Sequence, residues 1–97
     1  MPIRKEWLPF NPEQVEQAPQ SDGAVELGDE VGAIIYIAGT QNLRQLLQQK
    51  LQGPEAIPKA KLFRFEEHFM YTMRESELIQ QFMRQNKRLP EFNEELL

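Results

Sequence analysis

Two short apolar runs, Gly23 to Leu27 and Ala33 to Ala38, flank Gly28-Asp29-Glu30-Val31-Gly32, whose residues tolerate the backbone angles of a tight turn. Together they predict a β-hairpin. Within the second run, Ile34-Ile35-Tyr36-Ile37 is β-branched or aromatic throughout, which predicts a central strand covered on both faces, by helices above and below or by a helix and the N-terminal segment. The period then changes. Leu43, Leu46, Leu47 and Leu51 recur at helical spacing and predict a helix with a buried leucine stripe, with Thr40 as its cap and Gly53-Pro54 as its stop. Residues 53 to 59 contain two prolines and read as a loop. Lys61 to Glu66 alternates charged and apolar side chains and predicts a third strand, with Phe63 and Phe65 on one face. Phe69 to Gln85 lacks Gly and Pro and is rich in Met, Glu, Leu and Gln, so it predicts a long helix closed by Lys87-Arg88-Leu89-Pro90, with 91 to 97 as a tail.

Ahead of this ββαβα order stands an N-terminal extension, residues 1 to 20, expected to pack on the domain formed by 21 to 97. Asn11-Pro12-Glu13 is a helix start, with Asn as N-cap, Pro at the first helical position and an acid in the first turn, and that helix ends before Pro19. Trp7, Leu8 and Phe10 are too apolar for a free tail and are expected to lie on the domain.

Composition narrows the chemistry. A chain of 97 residues has room for one small core. It contains no cysteine, which excludes disulfides, thiolate metal sites and cysteine nucleophiles. No apolar run approaches the roughly 18 to 20 residues that span a bilayer, and the start lacks the apolar core of a secretory signal, so a cytoplasmic location and no membrane partner are expected. The net charge of −4 opposes nonspecific binding to a polyanion. It is unevenly placed, however: residues 1 to 58 hold four basic and eight acidic residues, and 59 to 97 hold seven of each. A local basic surface around Lys59, Lys61 and Arg64, or around Arg84, Lys87 and Arg88, is one reading, and ordinary solvated charge is the other.

The order of motifs resembles the GIY-YIG nuclease family over roughly residues 21 to 93. Gly23-Ala24-Val25 stands where Gly-Ile-Tyr is expected, Tyr36-Ile37-Ala38 where Tyr-Ile-Gly is expected, and Asn42-Leu43-Arg44-Gln45-Leu46-Leu47 where the family has a helix close to Asn-Leu-x-x-Arg-Leu. Further on, Arg74-Glu75-Ser76-Glu77-Leu78-Ile79 resembles the helix carrying the family's metal-binding Glu, and Pro90-Glu91-Phe92-Asn93 resembles its closing Pro-x-Tyr-Asn. The fold implied is a small, largely antiparallel three-stranded sheet flanked by helices, of α/β (α+β) class. In an active member the resemblance implies a Glu that holds a divalent cation against the scissile phosphate, a Tyr that helps deprotonate water, and an Arg that stabilises negative charge. Mapped onto this chain, Tyr36 is the motif Tyr, Glu75 the metal ligand for Mg²⁺ or Mn²⁺, and Asn93 the terminal Asn. Arg64 and Arg74 complete the candidate binding residues.

Three positions depart from the pattern. Val25 replaces the first Tyr, Ala38 the motif Gly and Leu46 the Arg. Arg44 is no substitute for that Arg, since two residues turn a helix by about 200° and point it away from Leu46. Val25 has no ionisable group, and each lost charge-stabilising group typically costs on the order of 10² to 10³ in rate. Glu75 stands on the same helical face as Leu78, Ile79, Phe82 and Met83, where a carboxylate needs a partner. Pairing with Arg64 or Arg74 is one reading and a vestigial metal site the other. A single carboxylate holds Mg²⁺ only with substrate phosphates and water, so no ion is expected in the free protein. His68 reads as a strand-end surface residue, and Met70, Met73 and Met83 as core filling. The function expected is that of a degenerate GIY-YIG domain, inactive or weakly active, which works by binding a protein, a further copy of itself or a nucleic acid. The alternative is an active metal-dependent DNA endonuclease with a rearranged site.

Overall fold

A computed structural model describes residue 3 and residues 5–93. The sheet has four strands rather than three. Strand β1 (Leu8–Pro9) is followed by helix α1 (Pro12–Val15), strands β2 (Gly23–Gly28) and β3 (Ile34–Thr40), helix α2 (Leu43–Leu51), strand β4 (Leu62–Glu67) and helix α3 (Tyr71–Asn86). The strands lie in the order β1-β4-β2-β3 and every pairing is antiparallel. The additional strand is two residues long and comes from the N-terminal segment, with Leu8 opposite Phe63 and Pro9 opposite Leu62. Proline is tolerated there because an edge strand has a side that makes no ladder bonds.

The central position belongs to β2, not β3. All six residues of β2 are buried, and it is paired to β3 on one side and β4 on the other. The apolar run of β3 reflects covered faces and a covered edge instead. Its outward backbone is closed by the C-terminal segment: Phe92 donates to the Ile35 carbonyl at 2.9 Å, and the Asn93 side chain bonds both the amide and the carbonyl of Ile37.

The pleat divides the core into two layers. Val25, Leu27, Tyr36, Phe63 and Phe65 face α1 and α2, against Val15, Leu43 and Leu47, with the Phe63 and Phe65 rings stacked 6.3 Å apart. Ala24 and Ile37 face α3, against Leu78 and Phe82. The N-terminal segment serves both layers. Ile3 is buried with the α3 layer, Leu8 and Pro9 pair along the edge of β4, and Phe10, Val15 and Ala18 are buried with the α2 layer.

Local signals place the element ends. Asn11 accepts from the Gln14 amide at 2.9 Å and caps α1. In the hairpin turn, Asp29 Oδ1 accepts the amides of Val31 and Ala33, and Gly32 has φ +87°, which glycine adopts without strain. Asn42, not Thr40, caps α2, accepting from Gln45 at 3.1 Å. Thr40 acts one step earlier, its hydroxyl accepting the Asn42 amide at 3.1 Å. Helix α3 starts two residues later than Phe69, and Lys87 ends it in the left-handed conformation, donating to the Met83 carbonyl. Met70, Met73 and Met83 are not core filling: they are 45%, 44% and 42% exposed, because the core is filled by Leu78 and Phe82 on the opposite side of the helix. The tail departs from expectation too, since Phe92 and Asn93 are packed against β3, while residues 94–97 lie outside the described residues.

Candidate functional site

Strand alternation puts Tyr36 on the α2 face of β3 and Ile37 and Gly39 on the α3 face. Tyr36 is half-buried, with Lys50 Nζ 5.0 Å from its ring centre, and Lys50 also lies 3.6 Å from Glu55. Around them is an open concavity of about 320 Å³ lined by Tyr36, Lys50, Pro54, Glu55, Ile57 and Phe92. It joins two aromatic rings to one cation.

Glu75 projects from the first turns of α3 toward the other face. Its Oε1 accepts the Gly39 amide at 2.8 Å, so its partner is a backbone group of β3 rather than Arg64 or Arg74. The contact is close because Gly39 has no side chain. A Cβ there would stand 2.5 Å from the Tyr71 carbonyl and 3.1 Å from Glu75. Gly39→Ala is therefore expected to push α3 off β3, with a stability loss of about 1–3 kcal/mol in urea unfolding.

Beside Glu75, the α3 face carries a ladder of ion pairs across the strands. Glu26 on β2 is directly opposite Arg64 on β4, and their side chains meet at 2.7 Å with exposures of 1% and 16%. Arg64 also donates to the Lys5 carbonyl, and its guanidinium lies 4.1 Å from the Trp7 ring centre. Arg74 grips Glu66 with two bonds of 2.6 and 3.2 Å and reaches Glu77 at 3.3 Å. Burial pushes the Glu26 carboxyl above its ordinary value, against the lowering effect of Arg64. The bond to Glu66 raises Arg74 in turn. Both arginines are spent within the fold. Asn93 is 1% exposed and has both ends of its amide on Ile37, so it closes a strand edge instead of facing a ligand.

Tyr36 packs with the α2 layer, Glu75 reaches the outer edge of β3 from α3, Val25 is fully buried, and Leu46 packs against the core of the α2 layer. Glu26 and Glu66 belong to the polar face without having been singled out from the sequence, and Trp7, expected to lie on the domain, does so against Arg64. The available signal was a lone carboxylate inside Ala24-Val25-Glu26-Leu27, which at full burial demands a cation opposite.

Among the described residues no three His, Cys, Asp or Glu side chains gather to hold a metal ion. Glu75 is one carboxylate with one oxygen already bonded to Gly39, and the donor set does not fit a resident cation. No described helix is long and apolar enough to cross a membrane.

Comparison with solved structures identifies the architecture. The chain is similar to the GIY-YIG N-terminal endonuclease domain of UvrC from Thermotoga maritima, solved as a point mutant bound to its catalytic divalent cation. The TM-score is 0.59 and the identity 19%, over 72% of this chain and 86% of that one. The four-stranded antiparallel sheet with its flanking helices is a GIY-YIG fold. No curated protein matches the sequence. A family model for a domain of unknown function, DUF7508, matches residues 1–85, and because that is most of its length, the chain belongs to the DUF7508 family.

Proposed function

We propose that this chain is a GIY-YIG domain that has lost efficient nuclease chemistry and works by binding a protein or nucleic-acid partner, in the cytoplasm. The observation that carries the reading is that the family's Arg and first Tyr are replaced by side chains built into the core, Leu46 packing against the α2 layer and Val25 being fully buried. Phosphodiester hydrolysis needs an oriented nucleophile and charge neutralisation at one phosphate. Arg64 and Arg74 do not replace the family's Arg, since they are held by Glu26 and Glu66, and the cation beside Tyr36 is Lys50, which also lies near Glu55. The relative's divalent cation makes Mg²⁺ or Mn²⁺ the ions to supply in any assay. The absence of cysteine fits a reducing compartment.

The test is incubation of the purified protein with labelled single-stranded, duplex and branched DNA in Mg²⁺ or Mn²⁺, beside Glu75→Gln. No cleavage by either protein is the expected result. Cleavage by the wild type that disappears in Glu75→Gln would overturn the proposal in favour of an endonuclease with a rearranged site. Binding that falls steeply with salt would name nucleic acid as the partner class, and no binding at low salt would name protein.

A further inference from the structure

Lys50, Lys59, Arg64 and Arg74 are each closed by a carboxylate, and Arg44 bonds the Ala18 carbonyl. The end of α3 is different. Arg84, Lys87 and Arg88 make no ion pair among the described residues, and residues 83–88 are exposed without a break. No Asp or Glu stands in the sequence between Glu77 and Glu91. Glu77 is already on Arg74 and Glu91 on Lys59, so neither neutralises these three cations.

Two of the three are fixed in place. The Arg88 guanidinium lies 5.5 Å from the Phe82 ring centre and donates to the Leu89 carbonyl at 3.0 Å, which orients it while leaving its other N–H donors unused. Lys87 sits at φ 62° and ψ 23°, the one described residue other than glycine with a positive φ. Glycine takes this helix-end conformation without strain, so a lysine here keeps a cation against the local preference. Backbone strain of this kind collects at binding sites. The negative end of the helix dipole accounts for a cation in the last turn, which Arg84 supplies, but not for a strained one after it.

The patch is small, and the chain that carries it has a net charge of −4. A nucleic-acid strand would extend its phosphates past three cations along a protein that repels it. It would also find no ring to stack on, since Phe82 is 7% exposed with Arg88 over its face. A short acidic peptide needs only the patch. The exposed apolar group beside the cations is Met83, a flexible thioether that suits an aliphatic residue of such a peptide. We propose that Arg84, Lys87 and Arg88, with Met83 beside them, are a docking surface for an acidic segment of a partner protein, whose carboxylates meet the three cations and whose aliphatic residue lies on Met83. It rests on the reading that the domain works by binding, and it fixes the partner class as protein.

The probe is a fluorescent peptide of repeated Glu-Glu-Leu units, followed by anisotropy at low and rising salt, beside a peptide of Gln-Gln-Leu units and a labelled single-stranded DNA. The wild type is expected to bind the acidic peptide, to release it as salt rises, and to leave the neutral peptide unbound. Arg84→Gln and Arg88→Gln are each expected to weaken binding about two- to fivefold. Lys87→Gly separates recognition from structure: it is expected to weaken binding in the same range while raising the urea midpoint of unfolding, because glycine relieves the left-handed backbone. No binding of the acidic peptide by the wild type would overturn the proposal, and so would wild-type binding by all three variants. DNA bound more tightly than the peptide, through the same three residues, would overturn it in favour of a nucleic-acid surface. Failure of the underlying reading shows differently, as cleavage of that DNA in Mg²⁺, which the peptide anisotropy does not report.

Discussion

Asn93→Ala is expected to lower the stability of the fold by about 2–4 kcal/mol, because it leaves two buried backbone groups without partners. Asn93 Oδ1 accepts the Ile37 amide at 2.9 Å and Nδ2 donates to the Ile37 carbonyl at 2.8 Å, which is what a neighbouring strand would do at that position. The side chain is 1% exposed, so water does not take its place without the segment moving. Unfolding in urea would show a lower midpoint with an unchanged slope if the native state is otherwise intact. A shift under about 0.5 kcal/mol, the range of ordinary surface substitutions, would mean that the bonds are not supporting β3. Asn93→Asp separates the two halves of the role. Its carboxylate still accepts from the Ile37 amide but cannot donate to the carbonyl while ionised. It should therefore fall below wild type at neutral pH and recover in part as acid restores a donor.

The same segment shows where a sequence reading reaches its limit. Strand and helix positions were legible because β2, β3, β4 and the two longer helices repeat at their own periods, and Gly, Pro, Asn and Asp mark their ends. Strand order was not, since the continuous apolarity of Ile34 to Ile37 states that a strand is covered without stating by what. In β3 the cover on one edge is a side-chain amide and the Phe92 backbone, contributed from more than fifty residues away. The two-residue β1 has no period at all, and it forms only because β4 offers it an edge. Motif order did signal the GIY-YIG architecture, yet it did not signal that Tyr36 packs with the α2 layer or that Glu75 bonds the Gly39 backbone from α3. Side-chain direction depends on the parity of the strand and the packing of α3, neither of which a motif encodes. The methionines failed for a related reason. A helix with Leu78 and Phe82 already filling its inner face leaves them only the outer one.

Arg64→Met is expected to be among the most damaging substitutions, at about 3–5 kcal/mol near neutral pH, because it strands a buried carboxylate. Glu26 is 1% exposed in the middle of the central strand, and Arg64 Nε at 2.7 Å is its close charged partner. Methionine restores much of the volume against Trp7 but not the charge. The sign of the pH dependence distinguishes this loss from one of packing. Burial raises the folded carboxyl of Glu26 above its ordinary 4.5, even with Arg64 lowering it. A carboxyl raised on folding contributes stability that is fully present below the unfolded value and is lost as pH rises through the folded one. Removing Arg64 takes away the lowering influence, so the folded value climbs further and the loss above 4.5 deepens. The Arg64→Met penalty should therefore shrink as pH is lowered toward 4.5, where the neutral acid is acceptable to its surroundings. Combining it with Glu26→Gln should recover most of the stability at pH 7, since the amide carries no charge to strand. A penalty that stays constant with pH and persists in the double variant would place the role of Arg64 in its stacking on Trp7 rather than in its charge.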